Sequence, residues 1–117
     1  MLNDRAVELG RLIGQSDEYK AVRRANDALG ADTDAVALLQ RMETLRREAS
    51  DLMDQGQQPT PEMEKELEEL LGKIQVNPLY QRMIVAQENF DKIMYQVNQW
   101  ILDGIKKGAA SGIITLG

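Results

Sequence analysis

From Pro78 to about Lys107 nothing in the chain breaks a helix. Over that run Leu79, Met83, Ala86, Phe90, Ile93, Val97 and Trp100 recur at alternating steps of four and three residues, which draws one apolar seam along a single α-helix. Met94, Ile101 and Ile105 widen the apolar face toward its C-terminal end, as a helix does when it meets more than one neighbour. At roughly 1.5 Å per residue, about 29 residues make a rod about 44 Å long. A compact globule of this chain length has a radius of gyration of about 13 Å and is roughly 35 Å across. The helix does not fit inside such a globule, so the molecule is expected to be elongated.

The rest of the chain reads as helices with clear punctuation. Leu2, Ala6, Leu9 and Ile13 form the stripe of a first helix, interrupted at Gly14 and Gln15. Ser16 then has the chemistry of an N-cap, with Asp17 and Glu18 beside the positive end of the helix dipole, and Tyr19, Val22, Ala25 and Leu29 on the buried side. Gly30 is expected to stop this second helix in a left-handed conformation. A third helix starts within Asp32–Asp34 and runs to Gln55, carrying the seam Leu38, Met42, Leu45, Ala49 and Leu52 before Gly56. Thr60 as cap and Pro61 at the first helical position open a fourth, with Met63, Leu67, Leu70 and Ile74 on one side. Asn77-Pro78 repeats the signal and either kinks one helix or begins another.

No segment of useful length alternates with the period of a strand. The fold expected is all-α: an elongated antiparallel helical bundle of about five helices with a long C-terminal helix, oligomerising through heptad-like seams. Residues 1–108 are expected to form a single helical domain and 109–117 a flexible Gly/Ala/Ser and apolar tail. An elongated hairpin does not cover its seams on every side, so a homodimer or hetero-oligomer is expected. The main interface seam is assigned to Leu79, Met83, Ala86, Phe90, Ile93, Val97 and Trp100, with Leu38, Met42, Leu45 and Leu52 facing it. A charge at Phe90 is expected to dissociate or unfold the assembly.

Chemistry narrows the function further. The 117 residues include no histidine and no cysteine, which removes thiol nucleophiles, disulfides, Cys/His zinc sites and imidazole acid–base catalysis. With 14 basic against 19 acidic residues the net charge is −5, so the chain repels nucleic acid at long range and direct nucleic-acid binding is not expected. No apolar run is long enough for a membrane span, nor is there a basic n-region followed by an apolar h-region at the start, and a cytoplasmic protein is expected.

Each cluster has a plain reading beside the functional one. Glu62, Glu64, Glu66, Glu68 and Glu69 place Glu64 and Glu68 one helical turn apart. That spacing suits a hard divalent cation, but Glu-rich helices are far more often solvated faces. The pairs Arg23-Arg24, Arg46-Arg47 and Lys106-Lys107 each lie four residues from an acid (Asp27, Glu43 and Asp103), which reads as surface ion pairing. Arg46 and Arg47 sit mid-helix and are the candidate surface for an acidic partner. Gly10 and Gly14 share a face at the spacing that permits close helix approach. There is no phosphate-binding glycine loop and no Ser–base pair at usable spacing. The expectation is a non-enzyme without cofactor or metal.

The order of these features, from Gln15-Ser16-Asp17-Glu18-Tyr19 through the acidic cap at Asp32 to Asp34, the Gly56 to Pro61 hairpin and Asn77-Pro78 before the long helix, resembles the YlbF/YmcA family of small helical bacterial regulators. The similarity covers residues 1–107. It implies a dimer-forming cytosolic helical protein that regulates through partners, in a complex with other family members or an endoribonuclease that governs mRNA maturation and influences competence, sporulation and biofilm formation. Some members carry cysteines connected with an iron–sulfur cluster; this chain has none and resembles the cysteine-free branch. The alternative is a holdase-like chaperone or assembly factor that offers its helices and the apolar tail Ile113 to Leu116 to unfolded clients.

Overall fold

The computed structural model describes the backbone of residues 1–116 and the side chains of residues 1–110. Five helices follow in order: α1 (Leu2–Gly14), α2 (Asp17–Gly30), α3 (Thr33–Asp54), α4 (Pro61–Gln75) and α5 (Pro78–Leu116). Local chemistry starts four of them. The Ser16 hydroxyl accepts from the Tyr19 N–H at 3.2 Å, and the Thr60 hydroxyl accepts from Met63 at the same distance. The Asp32 carboxylate accepts from Asp34 and Ala35 at 3.1 and 3.4 Å. The Asn77 carbonyl oxygen accepts from Leu79 and Tyr80 at 2.8 and 3.3 Å. Each bond satisfies an N–H that the first helical turn leaves free. Asn77-Pro78 therefore begins a new helix.

The helix ends are less uniform. Gly56 has φ of 78° and follows α3. Its N–H donates to the Met53 carbonyl at 3.0 Å, and that of Gln57 donates to Leu52 at 2.8 Å, a Schellman end that a side chain with Cβ would strain. Gly30, expected to stop α2 in the same way, is its last helical residue, and Ala31 caps the helix in the right-handed αR region. The Asp32 cap two residues on already turns the chain, so no left-handed residue is required. α5 runs past Lys107 through Gly108, Ala109 and Ala110. One glycine costs about 1 kcal/mol in a helix and alanine is the best former, so nothing there ends it. The expected tail over 109–117 falls mostly on residues 111–117, whose side chains lie outside the described residues.

Two helix pairs form the body. α3 and α4 make an antiparallel hairpin, clamped on its outside by a two-point ion pair in which Arg41 Nε and Nη2 donate to Glu66 at 2.7 and 2.9 Å. α2 lies antiparallel along the first half of α5. Its start sits where the Tyr19 and Phe90 rings meet at 5.4 Å, and its end, through Asp32, reaches Asn77. The core gathers where the pairs join: Leu29, Ala35, Met42, Leu45, Leu70 and Ile74 are buried, with Leu38, Leu79 and Met83 packed on their edge. α1 touches α2 and buries none of its residues.

The result is long. The radius of gyration is 21.2 Å and the extents are 66 × 38 × 20 Å, against about 13 Å for a compact domain of this size.

Candidate interaction surfaces

The seam residues divide between the interior of one protomer and its surface. Met42 and Leu45 are buried, and with Leu38 they pack on α4. Leu79 and Met83 close the edge of that same cluster. Ala86 and Val97 are buried and Phe90 meets Tyr19 in a tilted ring contact, while Leu52 and Ile93 are half-buried. The principal neighbour of α3 is α4 rather than the α5 seam it was expected to face. Trp100 is the seam residue that stands clear, at 59% exposure.

Beyond Val97 the described side chains of α5, residues 98–110, are exposed except for the half-buried Gln99. Ile101, Leu102 and Ile105 are exposed beside Trp100, because α2 reaches only the first half of α5 and α1 does not fold back over the rest. α1 shows the same condition, with Leu2, Val7 and Leu12 exposed. A Cβ placed on Gly10 or Gly14 meets nothing within 4 Å, so the close approach their spacing permits is not made within one protomer.

The charged clusters sort differently. Of the three expected one-turn pairs, Glu43–Arg47 closes among the described residues, at 3.5 Å. Arg46 lines a hollow of about 220 Å³ toward the turn end of the α3–α4 hairpin, together with Met53, Pro59, Met63 and Glu64. Glu64 and Glu68 are exposed, and no group of three or more carboxylates among the described residues is arranged to hold a metal ion. The perturbed carboxylates have structural partners. The Asn77 amide, followed by the Ala35 N–H, holds the Asp32 carboxyl below its ordinary value, and the hydrogen bond from Arg41 does the same for Glu66.

A groove of about 640 Å³ runs between α2 and the first half of α5, floored by Ala21, Ala25 and Ala86 and rimmed by Arg24 and Arg82. It is not legible in the seam pattern. Arg24 and Arg82 are far apart in sequence, and Val85, which also lines it, lies off the four-three stripe. The available signal is the pair Ala21 and Ala25 at one-turn spacing beside Arg24.

These surfaces belong to a shared architecture. The family model described as control of competence regulator ComK, YlbF/YmcA, matches residues 2–106. The chain belongs to the YlbF/YmcA family. It is also similar to a UPF0342 protein of Streptococcus gordonii, 29% identical over 103 residues that cover 88% of this chain and 92% of the relative. A UPF0342 protein of Streptococcus agalactiae is 32% identical over 99 residues, 79% of this chain and 89% of the relative. One from Bacillus cereus is 23% identical over 106 residues, covering 91% and 90%. The YlbF/YmcA match includes α1, the α2–α5 groove and Trp100 to Ile105, so each bare surface lies inside the region the family shares. No helix among the described residues is long and apolar enough to cross a membrane.

Proposed function

We propose that this chain is a non-enzymatic regulatory adaptor that acts as a self-associated helical assembly, a homodimer, and holds partner proteins on its remaining helix faces. The observation that carries this reading is the distal half of α5, where Trp100 and Ile105 are 59% and 60% exposed beside Ile101 and Leu102. α1 supplies a second bare face, with Leu2 86% exposed. An isolated helix of 13 residues is marginal in water, so α1 gains stability from an apolar neighbour. One face of α1 and one face of residues 98–110 together supply the apolar surface for such a contact. A two-fold axis lets each copy's α1 meet the partner's distal α5, the self-complementary arrangement common to homodimers.

The regulatory class rests on the family description, and action by binding rests on a sequence without histidine or cysteine. Within that class, the partners we infer are other family members or an endoribonuclease complex acting on mRNA maturation. A net charge of −5 leaves RNA contact to the partner, because phosphate binding needs an excess of cations. Sedimentation equilibrium tests the assembly. The wild type is expected at twice the 13.2 kDa chain mass, and Trp100→Asp with Ile105→Asp at the single-chain mass with its helicity kept. A monomeric wild type would overturn the reading.

A further inference from the structure

We propose that the groove between α2 and the first half of α5 is a docking site for an acidic amphipathic helix of a partner protein. The inference rests on the adaptor reading but uses a surface separate from α1 and distal α5. The groove holds about 640 Å³ and its lining contains two arginines and no carboxylate, in a chain where acids outnumber bases by 19 to 14. Neither Arg24 nor Arg82 makes an ion pair within 4 Å among the described residues. The one side-chain hydrogen bond found for them is long, from Arg24 Nε to the Lys20 carbonyl at 3.5 Å. Two other arginines are paired, Arg41 with Glu66 and Arg47 with Glu43, and Arg24 also lines a small neighbouring hollow with Lys20, Arg23 and Asp27. Within the groove, Arg24 and Arg82 stand beside an apolar floor with no carboxylate among the lining residues.

The shape selects the kind of ligand. Ala21, Ala25 and Ala86 present only methyl groups, so a third helix can approach close to the roughly 8 Å lower limit of helix packing. Val85 is 55% exposed, and a second hollow of about 410 Å³ shares it with Gln81 and adds Ile84 on the adjacent face of α5. A long groove open to solvent does not enclose a small molecule, whose pockets bury most of the ligand. It suits a helix whose apolar residues recur every third or fourth position, flanked by Glu or Asp that meet the guanidinium forks.

The test uses two synthetic helical peptides with the same leucine stripe, one flanked by glutamates and one by lysines, titrated into the full-length ¹⁵N-labelled protein. The glutamate peptide is expected to bind, with amide shifts concentrated at Ala21, Ala25, Val85 and Ala86, and the lysine peptide at least about tenfold more weakly. Arg24→Glu with Arg82→Glu should weaken the glutamate peptide by a similar factor without changing circular dichroism or sedimentation mass. Arg82→Gln alone should give a smaller loss, and serves if the double variant does not fold. Absence of binding, equal affinity for the two peptides, or shifts centred on residues 98–110 would each overturn the proposal. So would a change of sedimentation mass in the groove variants, which would give the groove to a second copy of this chain.

Discussion

Asn77 donates through its side-chain amide to the Asp32 carboxylate at 3.2 Å, and each of the two side chains also caps a helix. The start of α3 is thereby tied to the start of α5 across 45 positions of sequence. This is the point from which the α3–α4 hairpin and the α2–α5 pair extend. The bond reinforces a junction that the Leu29 to Ile74 core also makes, with Leu79 and Met83 on its edge and Gln81 Nε2 donating to the Gln75 carbonyl at 2.9 Å.

Replacing Asn77 by alanine removes the α5 cap and the tie together. Loss of an N-cap costs about 0.5–2 kcal/mol, and the severed tie places Asn77→Ala in the upper half of that range. Urea denaturation should show the midpoint fall with the slope kept. Serine at the same position keeps the cap but not the tie and should recover part of the loss. Equal stability of the serine variant and the wild type would show that the tie contributes nothing.

Acid should weaken the fold at the same places. Asp32 and Glu66 are held below their ordinary values, the first by the Asn77 amide and the second by the Arg41 hydrogen bond. A carboxylate whose folded value is depressed stabilises fully above its unfolded value, and that contribution is lost as pH falls through the folded one. The melting temperature should stay level from neutral pH to about 5 and fall below about 4. Asp32→Asn should start lower at pH 7 and lose less on acidification. Parallel acid limbs for the two proteins would count against this assignment.

Ile74 is the fully buried large side chain of the core, at 0% exposure. Ile74→Ala should cost about 2–5 kcal/mol, since the cavity adds to the lost transfer energy. Val76, two residues on and 72% exposed, should tolerate alanine within about 0.5 kcal/mol. Chemical denaturation of the pair checks the core directly, and a small effect at Ile74 would contradict it.

Phe90 is half-buried against Tyr19, with ring centroids at 5.4 Å and planes at 58°. The contact lies inside one protomer, so Phe90→Ala should loosen α2 from α5 and cost about 1.5–3 kcal/mol, less than a fully buried phenylalanine. A double-mutant cycle with Tyr19→Leu should return a coupling of about 0.5–1.5 kcal/mol. The mass of the folded assembly should not change. A shift to the single-chain mass without loss of stability would place Phe90 between subunits.

What was legible in the sequence follows the range of the interaction responsible. Ser16, Thr60 and Asn77 announce their helices because a cap acts over two or three residues. The length of α5 and the elongation it forces are legible because no breaker interrupts Pro78 to Lys107. Gly30 misleads, since glycine permits a left-handed stop without requiring one. The seams misdirect in another way. A four-three stripe shows that Met42 and Leu45 will be buried but not against which helix; here α4 is the main neighbour of α3, and Leu79 and Met83 of α5 pack on the edge of the same cluster. Nothing local shows that α1 will bury none of its residues, with Leu9 and Ile13 of its stripe half-buried and Leu2 and Ala6 exposed, or that Arg24 and Arg82 will share one groove. Those facts arise only when α2 and α5 meet.

The emission of Trp100, the single tryptophan, reports on the central claim without any mutation. If α1 and distal α5 form the contact between two copies, the indole is shielded in the dimer. Its emission should then lie to the blue at high protein concentration and move to the red as dilution separates the chains, in step with the fall in sedimentation mass. Emission that stays red at every concentration, with the single-chain mass throughout, would contradict it.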